Sequence, residues 1–194
     1  MAKTGQSGLE SIVTSLPREK RGLPPVERWD PPFCGDIDMK IEADGTWFYQ
    51  KTPIGRPALV KLFSGILKRE GDNYFLVTPV EKVGLIVVDA PFLAVELKVE
   101  HADDQILAFR TNVDDWVEAG PGHGLKFIPE PATGGLKPYV HVRRDLWAKV
   151  TRALFYDLVA LGEEREVAGK RMFGAASKGE FFAMADASAV REFA

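Results

Sequence analysis

The string Thr78-Pro79-Val80-Glu81-Lys82 combines a hydroxyl, a carboxylate and an amine within five residues. Polar groups on a turn can hold a small anionic or zwitterionic ligand when a rigid scaffold positions them. Thr78, Glu81 and Lys82 are therefore candidate ligand contacts. The alternative is a β-turn whose Glu–Lys pair is solvated and contributes little to stability.

Two arginines, Arg56 and Arg144, each lie where an apolar segment gives way to a segment of helical periodicity. A guanidinium group beside a helix N-terminus can pair with a carboxylate or a phosphate. Arg56 is therefore the fourth candidate contact. The alternative for both arginines is a structural salt bridge, for instance with Asp36 or Asp145.

The run Trp47-Phe48-Tyr49 places two aromatic side chains on one face of a strand and one on the other. One face must belong to the core, whereas the other can stack on a ring of a ligand. We take Trp47, Tyr49 and Tyr139 as candidate walls of the site. Burial of both faces in the core is the alternative.

Residues for catalysis or metal binding do not form a recognisable pattern. Asp36 and Asp38 share a strand face about 7 Å apart, which strand alternation alone explains. The three histidines show no helical i, i+4 pair, and Cys34, the one cysteine, cannot build a cysteine-rich zinc site. No Gly-x-Ser-x-Gly motif occurs. We assign no catalytic residue, no metal ligand and no cofactor, and we expect Cys34 to be buried and inert.

The composition is that of a globular protein: 194 residues, of which 45% are apolar and 27% charged. The net charge is −3, so the basic excess that usually supports nucleic-acid binding is missing, and we expect no nucleic-acid partner. No run approaches the ~18 apolar residues that a membrane span needs, so we expect no membrane partner. One cysteine and no apolar leader segment predict a reduced, cytoplasmic location.

The two ends of the chain are predicted to lie outside the repeated fold. Residues 1–32 contain an amphipathic helix over 7–16, and an extended arm follows because the segment from Pro17 to Pro32 contains five prolines. Residues 186–194 are predicted to be a frayed tail.

The periodicity between these ends predicts an α+β protein with a repeated ββαββ unit. In the first unit, residues 33–91, a period-two strand ends at the hairpin signal Asp44-Gly45 and a second strand follows. A helix is predicted over 56–68, and two further strands complete the unit.

A second ββαββ unit is predicted at 125–185, with its helix over 145–161, and the antiparallel strands of 92–124 are predicted to connect the two units. At a constant offset of 88 positions, Ile54, Arg56, Lys61 and Leu62 align with Val142, Arg144, Lys149 and Val150. Self-similarity at a fixed offset is typical of structural repeats. The alternative is convergence, since any strand that enters a helix can resemble another.

Four strings carry a resemblance to a known family: PPFCGDID at 31–38, DGTWFY at 44–49, PIGR at 53–56 and YFLVTPVEKV at 74–83. They resemble the bacterial family called domain of unknown function 1285, over roughly Trp29 to Met184. The resemblance implies two repeated α+β motifs and a suggested role in signal transduction. It implies no established activity and no catalytic residues that could be carried over.

Three hypotheses remain open. In the first, the protein is a non-enzymatic ligand-binding or regulatory module, and a small molecule binds in a cleft between the repeats. In the second, it is an adaptor whose N-terminal segments dock on a protein partner. In the third, it is a hydrolase of unknown substrate, which would need a catalytic group that these strings do not contain.

Overall fold

A computed structural model of the protein describes residues 9–15, 22–101 and 104–191. The chain divides into two compact units, residues 1–89 and 90–194.

The first unit is built on a six-stranded mixed sheet. Its elements are α1 (Leu9–Ser15), β1 (Phe33–Ile41), β2 (Trp47–Tyr49), β3 (Thr52–Pro53), α2 (Pro57–Gly65), β4 (Leu67–Glu70), β5 (Asn73–Val77) and β6 (Lys82–Val87). The strands lie in the order β3-β2-β1-β6-β5-β4. Two antiparallel three-stranded meanders are thus joined at the centre by the parallel pair β1 and β6.

Local sequence accounts for several boundaries of the first unit. Gly45 has a φ of +79°, and the Asp44 carboxylate accepts a hydrogen bond of 2.9 Å from the Thr46 amide, which closes the turn after β1. Pro57 begins α2, where its missing amide hydrogen costs nothing. The rings of Trp47 and Phe63 stack at 6.4 Å and anchor α2 to the sheet.

The second unit contains a sheet of the same topology and a smaller three-stranded sheet. Its elements are β7 (Phe92–His101), β8 (Gln105–Thr111), β9 (Trp116–Glu118), β10 (Leu125–Glu130), β11 (Gly135–Arg143), β12 (Leu146–Val150), α3 (Arg152–Ala160), β13 (Glu163–Val167), β14 (Lys170–Ser177), β15 (Glu180–Asp186) and α4 (Ala187–Arg191). The large sheet has the order β10-β11-β12-β7-β8-β9. Its centre is again a parallel pair, β7 and β12.

A buried serine joins the two sheets of the second unit. The Ser177 hydroxyl, at the end of β14, donates to the Ala119 carbonyl at 2.7 Å and accepts from the Leu107 amide at 2.9 Å. The Gln105 side-chain amide donates to the Ala176 carbonyl at 2.8 Å. These bonds satisfy polar groups that the packing of the sheets removes from water.

The predicted α+β class holds broadly, but the repeat is larger than the predicted ββαββ unit. Each unit contains a sheet of six strands. When the strands of a unit are numbered one to six along the chain, their order across the sheet is 3-2-1-6-5-4 in both units. The segment 92–124, predicted to connect the units, supplies the first three strands of the second sheet. The alignment at an offset of 88 positions therefore does not follow the repeat, because Lys61 lies in a helix and Lys149 in a strand.

The helix predicted over 145–161 is a strand followed by a helix. Leu146 and Val150 are four residues apart, a spacing that both periods allow. Ala148 is buried with them, whereas Trp147 and Lys149 between them are partly exposed. The burial of residues 146–150 therefore alternates with the period of a strand, and this segment pairs with β7 as strand β12. The helix predicted over 56–68 similarly ends at Gly65, before β4.

The ends also differ from the prediction within the described residues. Residues 22–32 contain a 3₁₀ turn at Val26–Arg28 whose Val26 is fully buried, so this part is not simply an extended arm. Part of the predicted tail forms α4, where Ala187 is buried. The rest of the predicted arm and tail lies outside the described residues. None of the described helices is long and apolar enough to cross a membrane.

Candidate functional site

A row of side chains crosses the first sheet from edge to centre. Strand register places Lys68 on β4 opposite Phe75 on β5, Phe75 opposite Gly84 on β6, and Gly84 opposite Asp36 on β1. Directly opposed residues point to the same face of a sheet. We call this surface the Phe75 face.

The Phe75 face contains an open pocket of about 290 Å³. The residues that line it are Phe33, Asp36, Asn73, Tyr74, Phe75, Lys82, Gly84 and Leu85. This volume is close to the lower limit for small-molecule sites, about 300 Å³. A ligand here would be small, of the size of an amino acid.

Gly84 forms the floor of the pocket beneath the Asp36 carboxylate. A Cβ atom at Gly84 would lie 3.1 Å from Asp36 Cγ and closer still to Oδ1, a separation that real Cβ atoms do not show. The absence of a side chain at Gly84 therefore allows the carboxylate to lie against the strand. Asp36 is exposed, and its carboxylate forms no hydrogen bond or ion pair among the described residues.

Lys82 supplies the positive charge of the pocket. Its Nζ lies 5.0 Å from the centre of the Phe75 ring and 3.0 Å from Glu70 Oε2. Lys68 Nζ lies 3.1 Å from the other oxygen of Glu70. Hydrogen bonds from Lys82, and secondly from Lys68, hold the pKa of Glu70 below its usual value. Lys68 Nζ also lies 3.9 Å from Glu27 Oε2, so the two ammonium groups face two carboxylates.

The other members of the predicted turn have structural partners. Thr78 is fully buried, and its Oγ1 accepts hydrogen bonds from the amides of Val80 at 3.4 Å and Glu81 at 3.1 Å. The Glu81 carboxylate accepts a hydrogen bond of 3.1 Å from Ser11 Oγ of α1. Thr78 therefore shapes the turn, and Lys82 is the predicted contact that reaches the pocket.

The remaining predicted contacts do not join this pocket. Trp47 pairs with Ile41 at one end of β1, whereas Lys82 pairs with Phe33 at the other end. The two ends are roughly 25 Å apart at the rise of a strand. Trp47 is only 2% exposed, which makes it part of the core.

The other predicted residues are distributed over both units. Tyr49 lies on β2, two residues beyond Trp47, and is partly exposed. Arg56 is exposed directly before α2 and forms no ion pair within the part of the chain that the structure describes. Tyr139 belongs to the second unit, where Lys126 Nζ lies 5.3 Å from the centre of its ring.

Sequence reasoning missed most of the pocket. The sequence patterns indicate Asp36 only as a partner of Asp38 on one strand face or as a salt-bridge partner of an arginine, and they do not indicate Phe33, Phe75 or Gly84 as ligand contacts. The available signal was Gly84, since a glycine between apolar residues of a strand often marks a close approach. Cys34, predicted to be buried, is exposed next to Phe33.

Catalytic groups do not converge in the described residues. No group of three or more His, Cys, Asp or Glu side chains within residues 9–15, 22–101 and 104–191 has the geometry of a metal site. The rings of His123 and His141 lie 5.7 Å apart, but each faces the backbone. His123 Nδ1 lies 3.1 Å from the His141 carbonyl, and His141 Nδ1 lies 2.8 Å from the Gly122 carbonyl. These contacts hold the loop before β10.

Two family models cover most of the chain. Residues 24–90 match the N-terminal domain of the domain of unknown function DUF1285, and residues 91–184 match the C-terminal domain of the protein of unknown function DUF1285. No protein with curated annotation matches the chain.

Two crystal structures resemble this chain. A DUF1285 family protein from Silicibacter pomeroyi DSS-3 has 47% sequence identity and a TM-score of 0.86, and the match covers 96% of this chain and 100% of that one. A DUF1285 family protein from Shewanella baltica OS155 has 31% identity and a TM-score of 0.52, over 64% of this chain and 91% of that one.

Proposed function

Since the chain belongs to the DUF1285 family, a family of unknown function, we propose that it is a small-ligand-binding protein with a regulatory role, as in signal transduction. Its ligand is a zwitterion of amino-acid size that binds at the Phe75 face. The observation that carries the proposal is the exposed, unpaired carboxylate of Asp36 over the Gly84 floor, beside the Lys82 ammonium. A site between the two units stays a prediction from the sequence.

The charges of the pocket suit a ligand with one ammonium and one carboxylate group. Asp36 lies opposite Gly84, and Lys82 lies two residues before Gly84 on the same strand. Strand geometry separates the Cα atoms of Asp36 and Lys82 by about 8 Å. The two charged groups of an α-amino acid fit between such side chains, and each would form a charge-assisted hydrogen bond.

The aromatic side chains suit an apolar substituent on that ligand. Phe33 is 54% exposed, and its ring packs edge-on against the Phe75 ring at 6.0 Å. Burial of this exposed ring surface would add roughly 25 cal/mol per Å² to the binding free energy. Phenylalanine is therefore a suitable first probe.

The proposal is tested by isothermal titration of the full chain with L-phenylalanine, 2-phenylethylamine and 3-phenylpropionate. The two analogues each lack one charged group of the amino acid. We expect each to bind about tenfold or more weakly than phenylalanine, since a hydrogen bond to a charged group contributes about 1.5–3 kcal/mol.

Variants connect the binding to the pocket. Asp36→Asn should weaken phenylalanine binding by a similar factor but leave the binding of 3-phenylpropionate, which lacks the ammonium group, unchanged. Lys82→Met should also weaken phenylalanine binding but leave the binding of 2-phenylethylamine, which lacks the carboxylate group, unchanged. Asp38→Asn is the matched control, because Asp38 is an exposed carboxylate of the same strand that does not line the pocket. Equal binding of all three probes, or equal losses in Asp36→Asn and Asp38→Asn, would contradict the proposal.

The adaptor and the hydrolase lack a comparable observation. In the described parts of the N-terminal segment, Ile12 and Val26 are fully buried, and Ser11 is bonded to Glu81. These contacts attach the segment to its own unit instead of offering it to a partner. For a hydrolase, the described residues form no metal-binding cluster, and neither proposed pocket is lined by a serine, cysteine or histidine.

A further inference from the structure

A second pocket, of about 380 Å³, lies within the second unit where β12 leads into α3. Its lining includes Glu130, Leu136, Lys137, Lys149, Arg152 and Phe155. We call it the Arg152 pocket. Its volume is within the range of about 300–1,000 Å³ that is typical of small-molecule sites.

The charged side chains of the Arg152 pocket are mostly positive. Three cations and one carboxylate line it, a local net charge of +2, whereas the whole chain has a net charge of −3. The exception, Glu130, is engaged by its own hairpin. Its Oε1 lies 2.9 Å from Lys137 Nζ, and its Oε2 accepts a hydrogen bond of 2.8 Å from Thr133. The pocket therefore has a surplus of positive charge for an anion.

Arg152 is oriented but carries no ion pair. Its Nε donates a hydrogen bond of 3.1 Å to the Tyr156 hydroxyl, one helical turn further along α3. No acidic side chain within the described residues pairs with its guanidinium group. The bond through Nε fixes the plane of the group and leaves the two terminal nitrogens for a ligand. These two nitrogens match the geometry of a carboxylate or a phosphate.

An apolar wall lies next to these charges. The Phe155 ring packs 6.2 Å from the Phe127 ring, which holds it at the pocket. Leu136 and Pro138 line the same cavity, and Tyr156 is 59% exposed at its edge. A ligand that carried only charge would leave this wall in contact with water.

We propose that the Arg152 pocket binds a small organic anion, with its carboxylate or phosphate group against Arg152 and Lys149 and its apolar body against Phe155 and Leu136. This site is separate from the proposed zwitterion site, since all its lining residues belong to the second unit. Neither site depends on the other for its contacts.

The experiment titrates the full chain at low ionic strength with two organic anions, phenyl phosphate and phenylacetate. Inorganic phosphate, which has only the charged group, and phenol, which has only the aromatic ring, are titrated for comparison. The two organic anions distinguish a phosphate from a carboxylate head group. We expect at least one of them to bind about tenfold or more tightly than either inorganic phosphate or phenol, because charge and apolar contact act together. Added salt should weaken this binding.

Variants then test the residues. Arg152→Ala and Lys149→Ala should each weaken binding of the organic anion about tenfold, and Arg152→Lys should only partly restore it because lysine lacks the planar fork. Lys170→Ala is the matched control, as it removes an exposed charge of the same unit outside the pocket. Glu130→Gln should bind more tightly than the wild type, a gain that misfolding cannot produce.

The proposal is overturned if neither organic anion binds up to millimolar concentration, or if Lys170→Ala loses as much affinity as Arg152→Ala. Binding of inorganic phosphate as tight as that of phenyl phosphate would overturn the role of the apolar wall. Asp36→Asn should bind the organic anion like the wild type, so failure of one proposed site can be told from failure of the other.

Discussion

Gly84→Ala should weaken ligand binding at the Phe75 face and leave the fold intact. Gly84 does not adopt a positive φ, so alanine introduces no backbone strain. The new Cβ would meet the Asp36 carboxylate below the 3.0 Å that real Cβ atoms keep, while the Phe33 ring at 3.7 Å is an ordinary contact. Because Asp36 is exposed, its carboxylate can rotate away into solvent.

The magnitudes follow from these contacts. A different side-chain conformation at Asp36 costs about 0.5–1.5 kcal/mol at most. Replacing glycine by alanine in a strand returns about 0.5–1 kcal/mol. The free energy of unfolding should therefore change by no more than about 1 kcal/mol. Loss of the Asp36 hydrogen bond to the ligand ammonium should cost about 1.5–3 kcal/mol, or about 10- to 150-fold in affinity.

The assay pairs urea denaturation with titration of L-phenylalanine. Gly55→Ala is the matched control, since a Cβ at Gly55 would meet no atom within 4 Å and Gly55 also lacks a positive φ. Attachment of an environment-sensitive dye to Cys34, the one cysteine, gives a second readout next to Phe33.

Two results would refute the reasoning. If Gly84→Ala binds phenylalanine as tightly as Gly55→Ala does, the position of the Asp36 carboxylate is irrelevant to the ligand. If Gly84→Ala is instead destabilised by more than about 2 kcal/mol, as expected for overpacking, Asp36 is held rigidly and the separation of fold from binding is wrong.

Three further predictions concern stability. Thr78→Val should cost about 0.5–1.5 kcal/mol in urea denaturation because the partly buried bonds from the Val80 and Glu81 amides lose their acceptor. Thr78→Ser should cost less, and equal costs would argue against the hydroxyl. Gly174→Ala should cost about 3 kcal/mol, since its Cβ would lie 2.9 Å from Ala183 Cα and closer still to a backbone carbonyl; a melting temperature equal to that of the wild type would contradict this. Glu70→Gln should lower stability above pH 4.5, the ordinary pKa of this carboxyl, because Lys82 and Lys68 lower the pKa of Glu70 in the folded state. The difference in stability from the wild type should vanish as the pH falls through the folded-state pKa. A difference that persists in acid would exclude the pairing as its cause.

Local patterns in the sequence were sufficient where the physical cause is local. The alternation before Asp44-Gly45 predicted β1 and its turn, since strand period and the positive φ of Gly45 depend on neighbouring residues. The start of α2 at Pro57 follows from the missing amide hydrogen. The family resemblance, carried by strings around these elements, was also confirmed.

Local patterns failed where two periods fit the same residues. Leu146 and Val150 match a helix as well as a strand, and pairing with β7 decided for the strand. β7 lies more than 50 positions earlier in the chain, so no window on the local sequence contains the deciding contact. The six-stranded repeat also depends on distant pairing, so the sequence predicts β7 to β9 as a connection between the units.

The candidate site also depends partly on local sequence and partly on long-range pairing. The sequence by itself identified Lys82 as a charged residue on a turn, which requires only its type and its neighbours. Only the tertiary structure placed Asp36 over Gly84, 48 positions away, through the parallel pairing of β1 with β6. The register of that pair is set by packing of side chains across the whole sheet. The pocket is therefore a product of long-range pairing, which single-residue types and local periods do not encode.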